Sequence, residues 1–208
     1  MWVKICGITS LEDALTASTF GADAVGFVFA DSPRRVTLET ARSISLGMPA
    51  GPKRVGVFVD SPLEEVQETI RYCGLDLVQL HGTESPEYCS ELRDKAIKAI
   101  RVRDGMDVVR SRDYRGCRLL FDCHDPARAG GTGRSFDWKL LRLIGDRTRA
   151  IIAGGLRPRN LAHAIDLARP YGVDVSSGVE VEPGRKDPVL MYEFIEKARK
   201  ADFEVSRC

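Results

Sequence analysis

Apolar residues in this chain gather into short, nearly continuous runs rather than strict alternations. Eight such runs read as strands: "VKICGI" (3–8), "AVGFVFA" (24–30), "KRVGVFV" (53–59), "LVQLHG" (77–82), "AIKAIRV" (96–102), "RLLFDC" (118–123), "AIIAGGL" (150–156) and "VDVSSGV" (173–179). Runs of that kind suit strands covered on both faces. Between them the apolar spacing turns helical, at Leu11, Ala14 and Leu15, at Leu161, Ala164, Ile165 and Ala168, and at Met191, Phe194, Ile195 and Ala198. Thr9-Ser10-Leu11-Glu12 reads as a capping-box start, and Ser61-Pro62-Leu63-Glu64 as a cap with proline at the first helical position. Weaker helical patterns follow Thr37, Ser85, Asp104 and Phe136.

Strand then helix recurs about every 25 residues, eight times over. Two parallel architectures accept that series, an open doubly wound sheet and a closed eight-fold barrel. The count and even spacing favour an α/β fold, a single-domain (βα)8 barrel over residues 1–208, near the small end of its usual size range. No linker or low-complexity tract interrupts the series. In such a barrel, function collects at the C-terminal ends of the strands and in the loops that follow them.

Charge and composition narrow the function classes. Thirty-one basic residues against 30 acidic ones leave a net charge of +1, so no basic surplus points to nucleic acid. No apolar run reaches membrane-spanning length, and the N-terminus lacks a secretory layout, so a cytoplasmic protein with no membrane partner is expected. The six cysteines, at 6, 73, 89, 117, 123 and 208, form no C-x-x-C pair and no disulfide framework. Only Cys123-His124-Asp125 offers adjacent metal-ligand types, and neighbours rarely converge on one ion, so loop polarity is the reading and no metal is expected.

Polar residues at the strand ends are few: Cys6, Arg34 after the second strand, His81, Asp122, the Gly154-Gly155 pair, and Asp174, Ser176, Ser177 and Gly178. Parity puts Lys4 with Cys6, Gln79 with His81, and Leu120 with Asp122, without saying which face is inward. "AGGL" and "SSGVE" offer backbone N–H groups where barrels commonly hold a phosphate, although tight βα turns also use glycine. No P-loop or dinucleotide signature accompanies them, so no nucleotide cofactor is expected. Cys6 and Asp122 would make an acid–base pair across the mouth, the thiol as base and the carboxyl as acid. Each also has a plainer reading, as apolar filler and as a loop cap. Arg34 in "SPRRV" could fork onto a carboxylate, with Arg35 as competitor. "AGGTGRSFDW" (129–138) reads as a lid or as an ordinary connector.

With these residues in place, the sequence resembles the phosphoribosylanthranilate isomerase family of tryptophan biosynthesis. "VKICGIT", "GADAVGFVF", "SPRRV", "RVGVFV", "VQLHG", "GGTGRSFDW" and "VDVSSGVE" match in order and span nearly the whole chain. The resemblance implies Cys6 as general base, Asp122 as general acid and Arg34 at the anthranilate carboxylate. It also implies phosphate at Gly154, Gly155, Ser177 and Gly178, with His81 and Asp174 lining the pocket. The expected activity is an Amadori rearrangement of a small phosphorylated aminosugar without metal or redox cofactor, by a monomer or homodimer. Arg35 stands where many relatives carry an aromatic residue, which bears on how the anthranilate ring docks. Two rivals are an aminoaldose-phosphate isomerase of histidine biosynthesis, which uses two carboxylates, and a non-catalytic phosphate-ligand barrel. A strand-end cysteine argues against both.

Overall fold

Eight parallel strands pair in chain order and close on themselves: β1 (Trp2–Cys6), β2 (Ala24–Val28), β3 (Lys53–Phe58), β4 (Leu77–Leu80), β5 (Ala96–Arg101), β6 (Arg118–Asp122), β7 (Ala150–Ala153) and β8 (Gly172–Val175). The structure is a computed structural model and describes residues 1–122, 138–144 and 147–205. The closed (βα)8 barrel expected from the sequence is therefore the fold. Each strand stops one to four residues before its apolar run does, because the last residues of each run turn into the loops at the mouth. Cys123-His124-Asp125, most of the glycine-rich stretch 129–138 and the helix start at Phe136 lie outside the described residues.

Among the described residues, seven α-helices wrap the barrel: α1 (Leu11–Thr19), α2 (Leu38–Gly47), α3 (Leu63–Cys73), α4 (Pro86–Glu91), α5 (Gly105–Arg110), α6 (Leu161–Ala168) and α7 (Pro188–Val205). After β6 the described residues form a 3-10 run, Trp138–Leu143, in place of an α-helix. The caps on α2, α4 and α5 fall as read, with Thr37, Ser85 and Asp104 accepting from backbone N–H groups of the first turn. Two starts differ. The cap of α1 is Ser10, whose Oγ accepts from Asp13 N at 3.1 Å, while Thr9 donates instead to the Gly184 carbonyl. Helix α3 begins one residue later than read: Pro62 is its cap without a side-chain bond, and the Ser61 carbonyl accepts from Tyr88 Oη at 2.8 Å.

Residues paired across parallel strands share a face, so the register resolves what parity left open. Lys4 pairs with Ala24 and Asp174, Cys6 with Gly26, Val57 with Gln79, and Asp122 with Ala153. Ala24, Val55, Leu77, Ile97, Leu120 and Ile151 belong to this set and pack as the barrel's inner core. A larger core, including Val3, Ile5, Phe27, Phe58, Phe121 and Phe194, fills the shell between strands and helices. Cys6 and Asp122 are thus inward, at the C-terminal rim.

Candidate active site

A cavity of about 350 Å³ opens at the C-terminal mouth, large enough for a small phosphorylated ligand. The nine residues to which the resemblance gives a place all line it: Cys6, Arg34, His81, Asp122, Gly154, Gly155, Asp174, Ser177 and Gly178. They come from six strand ends and loops, so only barrel closure brings them together. Arg35 does not line it; that side chain is exposed and borders Phe29, Val36 and Glu39 elsewhere.

Cys6 is buried, and the tightness around it has a visible cause. A Cβ on its β2 partner Gly26 would stand 2.8 Å from the Cys6 Sγ and 3.1 Å from the Lys4 Cε, so only glycine leaves room. Burial pushes the thiol above its ordinary value; Lys4 and Lys186 pull it down, Asp174 adds to the rise, and the net shift is upward. Lys4 is wholly buried and donates to Asp174 Oδ1 at 3.0 Å and Gln79 Oε1 at 2.9 Å. Burial opposes its charge, but Asp174 and Cys6 outweigh that and raise its pKa.

Across the mouth, His81 Nε2 lies 3.1 Å from Asp122 Oδ2, and His81 Nδ1 lies 2.9 Å from Gln79 Nε2. The loop after His81 is braced by the buried Glu84 carboxylate, which accepts from Gly82 N and from Lys98 Nζ at 2.6 Å. Asp174, Lys4, Gln79, His81 and Asp122 therefore form one hydrogen-bonded chain across the barrel interior.

Around Arg34 the charges are paired. Arg34 makes a two-pronged contact with Glu180, Nε to Oε1 at 2.8 Å and Nη2 to Oε2 at 2.6 Å. Gly7 lets the arginine lie close, since a Cβ there would meet Arg34 Cδ at 2.6 Å. Lys186 is buried beside them and donates to Glu180 Oε1 at 2.7 Å and to the Cys6 carbonyl at 2.6 Å. Burial opposes the Glu180 charge, yet Arg34 and Lys186 bring its pKa below the ordinary carboxylate value. Burial also lowers the Lys186 pKa, despite support from Glu180.

The two glycine turns differ in construction. Gly154 and Gly155 both have positive φ, 85° and 66°, and the turn is tied by Asn160 Nδ2 donating to the Gly155 carbonyl at 3.0 Å. After β8, Ser177 and Gly178 sit in a short 3-10 turn, Ser177–Val179, where a Cβ on Gly178 would come 1.8 Å from the Leu156 carbonyl oxygen. Both turns thus bring backbone to the cavity wall at positions that disfavour side chains.

Lys4, Gln79, Glu180 and Lys186 belong to this constellation and had no role in the sequence reading. A signal for Lys4 was present: a charged residue inside a run read as buried on both faces needs an ionic partner. Glu180 and Lys186 come from the short antiparallel pair β9 (Glu180–Glu182) and β10 (Arg185–Lys186), which carries no strand periodicity of its own.

These features define a class: a TIM-barrel protein with a thiol, a carboxylate–imidazole pair and glycine-lined turns around one C-terminal cavity. The chain belongs to the N-(5'-phosphoribosyl)anthranilate (PRA) isomerase family, whose sequence profile matches residues 3–197. It is 48% identical over 206 residues to the N-(5'-phosphoribosyl)anthranilate isomerase of Pelobacter propionicus, covering 99% of each chain. Among solved structures, phosphoribosyl anthranilate isomerase from Thermotoga maritima superposes with a TM-score of 0.89 at 44% identity, covering 96% of this chain and 99% of that one. A second phosphoribosyl anthranilate isomerase, in complex with reduced 1-(o-carboxyphenylamino)-1-deoxyribulose 5-phosphate, gives 0.85 at 42% identity, with 96% and 99% covered.

Proposed function

We infer that this chain converts N-(5'-phosphoribosyl)anthranilate to 1-(2-carboxyphenylamino)-1-deoxyribulose 5-phosphate, a step of L-tryptophan biosynthesis. The observation that carries the assignment of roles is that Cys6 and Asp122, from strands far apart in sequence, line one cavity with two glycine turns. Asp122 in its acid form gives a proton to the ribose ring oxygen, and the C1′–O bond opens to an iminium. That iminium acidifies the neighbouring C–H, so Cys6 as thiolate takes the proton from C2′ and leaves an enolamine. Tautomerisation places hydrogen on C1′ and the carbonyl at C2′. The oxidation at C2′ is balanced by reduction at C1′, so the rearrangement calls for no external electron acceptor.

Gly154, Gly155, Ser177 and Gly178 are assigned to the phosphate, and His81 and Asp174 to the walls around the sugar. Glu180 holds the Nε side of Arg34, and we assign the Nη1–Nη2 edge of that guanidinium to the anthranilate carboxylate. The chain acts as a single cytoplasmic barrel domain, monomeric or homodimeric. Among the described residues, no helix is long and apolar enough to cross a membrane.

A fluorescence time course with freshly prepared phosphoribosylanthranilate tests this reading. Wild type consumes the substrate, while Cys6→Ala and Asp122→Asn each lose at least about 10²-fold in kcat. Near-wild-type turnover in either variant refutes the corresponding role.

A further inference from the structure

The mechanism moves protons through Cys6 and Asp122 and gives no proton-transfer step to two buried polar side chains of the barrel wall, Lys4 and Gln79. Their hydrogen bonds carry directional information. Lys4 Nζ approaches Gln79 at 2.9 Å, and an ammonium has donors only, so the Gln79 atom that meets it is the carbonyl oxygen. This turns the amide nitrogen of Gln79 toward His81 Nδ1, 2.9 Å away. An amide nitrogen also only donates, so Nδ1 must accept, and the ring hydrogen resides on Nε2. Nε2 is the atom 3.1 Å from Asp122 Oδ2.

We propose that Lys4 and Gln79 are positioning residues that hold His81 in its Nε2–H tautomer and so present Asp122 with one fixed hydrogen-bond donor. The proposal rests on the reading of Asp122 as the acid. Its physical content is that one charge sets a series of orientations. The Lys4 ammonium, anchored by Asp174, fixes the amide; the amide fixes the imidazole; the imidazole offers its Nε2–H to one oxygen of the Asp122 carboxyl group at the rim. A carboxyl free to rotate would spend part of its time pointing its proton away from the ring oxygen, and misplacement of this kind is costly in rate. The opposite tautomer would set a bare Nε2 against Asp122 and draw the acid's proton toward His81, away from the ring oxygen. A polar network that merely fills the core would require every donor to be satisfied, but no particular tautomer at its end.

The test reads the tautomer directly. Imidazole 15N resonances of the wild-type chain, with His81 assigned by comparison with His81→Asn, should show hydrogen on Nε2 and a bare Nδ1. Gln79→Glu keeps an acceptor for Lys4 but faces Nδ1 with an acceptor in place of a donor. In this variant hydrogen should appear on Nδ1, with kcat falling by about tenfold or more and KM holding within about twofold. Gln79→Met removes both bonds at similar size and should give a mixture of tautomers. A wild-type spectrum with hydrogen on Nδ1 overturns the proposal without needing any variant to fold. So does a shifted tautomer in Gln79→Glu with undiminished kcat. If Asp122→Asn keeps its turnover while the tautomer is as described, the acid assignment has failed and the relay's geometry has not.

Discussion

At the scale of the residue, Cys6 is held between opposed influences. Burial and Asp174 favour the neutral thiol, Lys4 and Lys186 favour the thiolate, and the balance lies with the thiol. The base form therefore grows as pH rises through and beyond the ordinary thiol range near about 8.5. Alkylation of Cys6 by iodoacetamide should accelerate by close to tenfold per pH unit between neutrality and about pH 9. Lys4→Met removes the nearest cation and should move that curve further upward. A rate that is flat across this interval would show that the thiolate is already formed. The candidate thiol was legible in the sequence because it ends an apolar run, where barrels place their chemistry. The lysine two residues before it was legible as an oddity only, since its partners Asp174 and Gln79 lie far away along the chain.

At the scale of the element, the short pair β9–β10 matters more than its length suggests. It brings Glu180 to Arg34 and Lys186, and so fixes the guanidinium at the cavity wall. Glu180 has a folded-state pKa below its ordinary value. A depressed carboxylate contributes stability that is complete above its unfolded pKa, about 4.3, and is lost as pH falls through the lower folded value. Wild type should therefore lose more of its urea midpoint than Glu180→Gln when pH is taken from about 6 to about 3. Equal losses would mean that the contact contributes nothing to folding. The helix starts teach a related lesson. Thr37, Ser85 and Asp104 cap as their local sequence suggests, whereas the Thr9 hydroxyl is engaged by a tertiary partner, the Gly184 carbonyl, and leaves the cap to Ser10.

At the scale of the whole molecule, the barrel closes with a buried ion pair near its axis. Lys4 on β1 and Asp174 on β8 are neighbours across the seam where the first and last strands meet. Removing one partner leaves a charge stranded in low dielectric, which typically costs about 3–5 kcal/mol, whereas replacing both with apolar groups is often neutral. Asp174→Ala should thus unfold at much lower urea than wild type, and Lys4→Met combined with Asp174→Leu should recover most of the loss. A double variant as weak as Asp174→Ala would place the cost in packing rather than in charge.

The sequence by itself determined the eight strands, favoured a closed parallel barrel over an open sheet, and marked several of the residues around its mouth. Those depend on local periodicity and on a fold rule that sends function to strand ends. The register and the partners were decided only by the tertiary structure. Which face of each strand is inward follows from closure, because every strand's orientation is fixed by both of its neighbours. The ion pairs and the Lys4–Gln79–His81–Asp122 series arise from residues that the chain separates and the closed sheet brings within hydrogen-bonding distance. A hydrogen bond is decided by a few ångströms and an angle, and no one-dimensional pattern carries either.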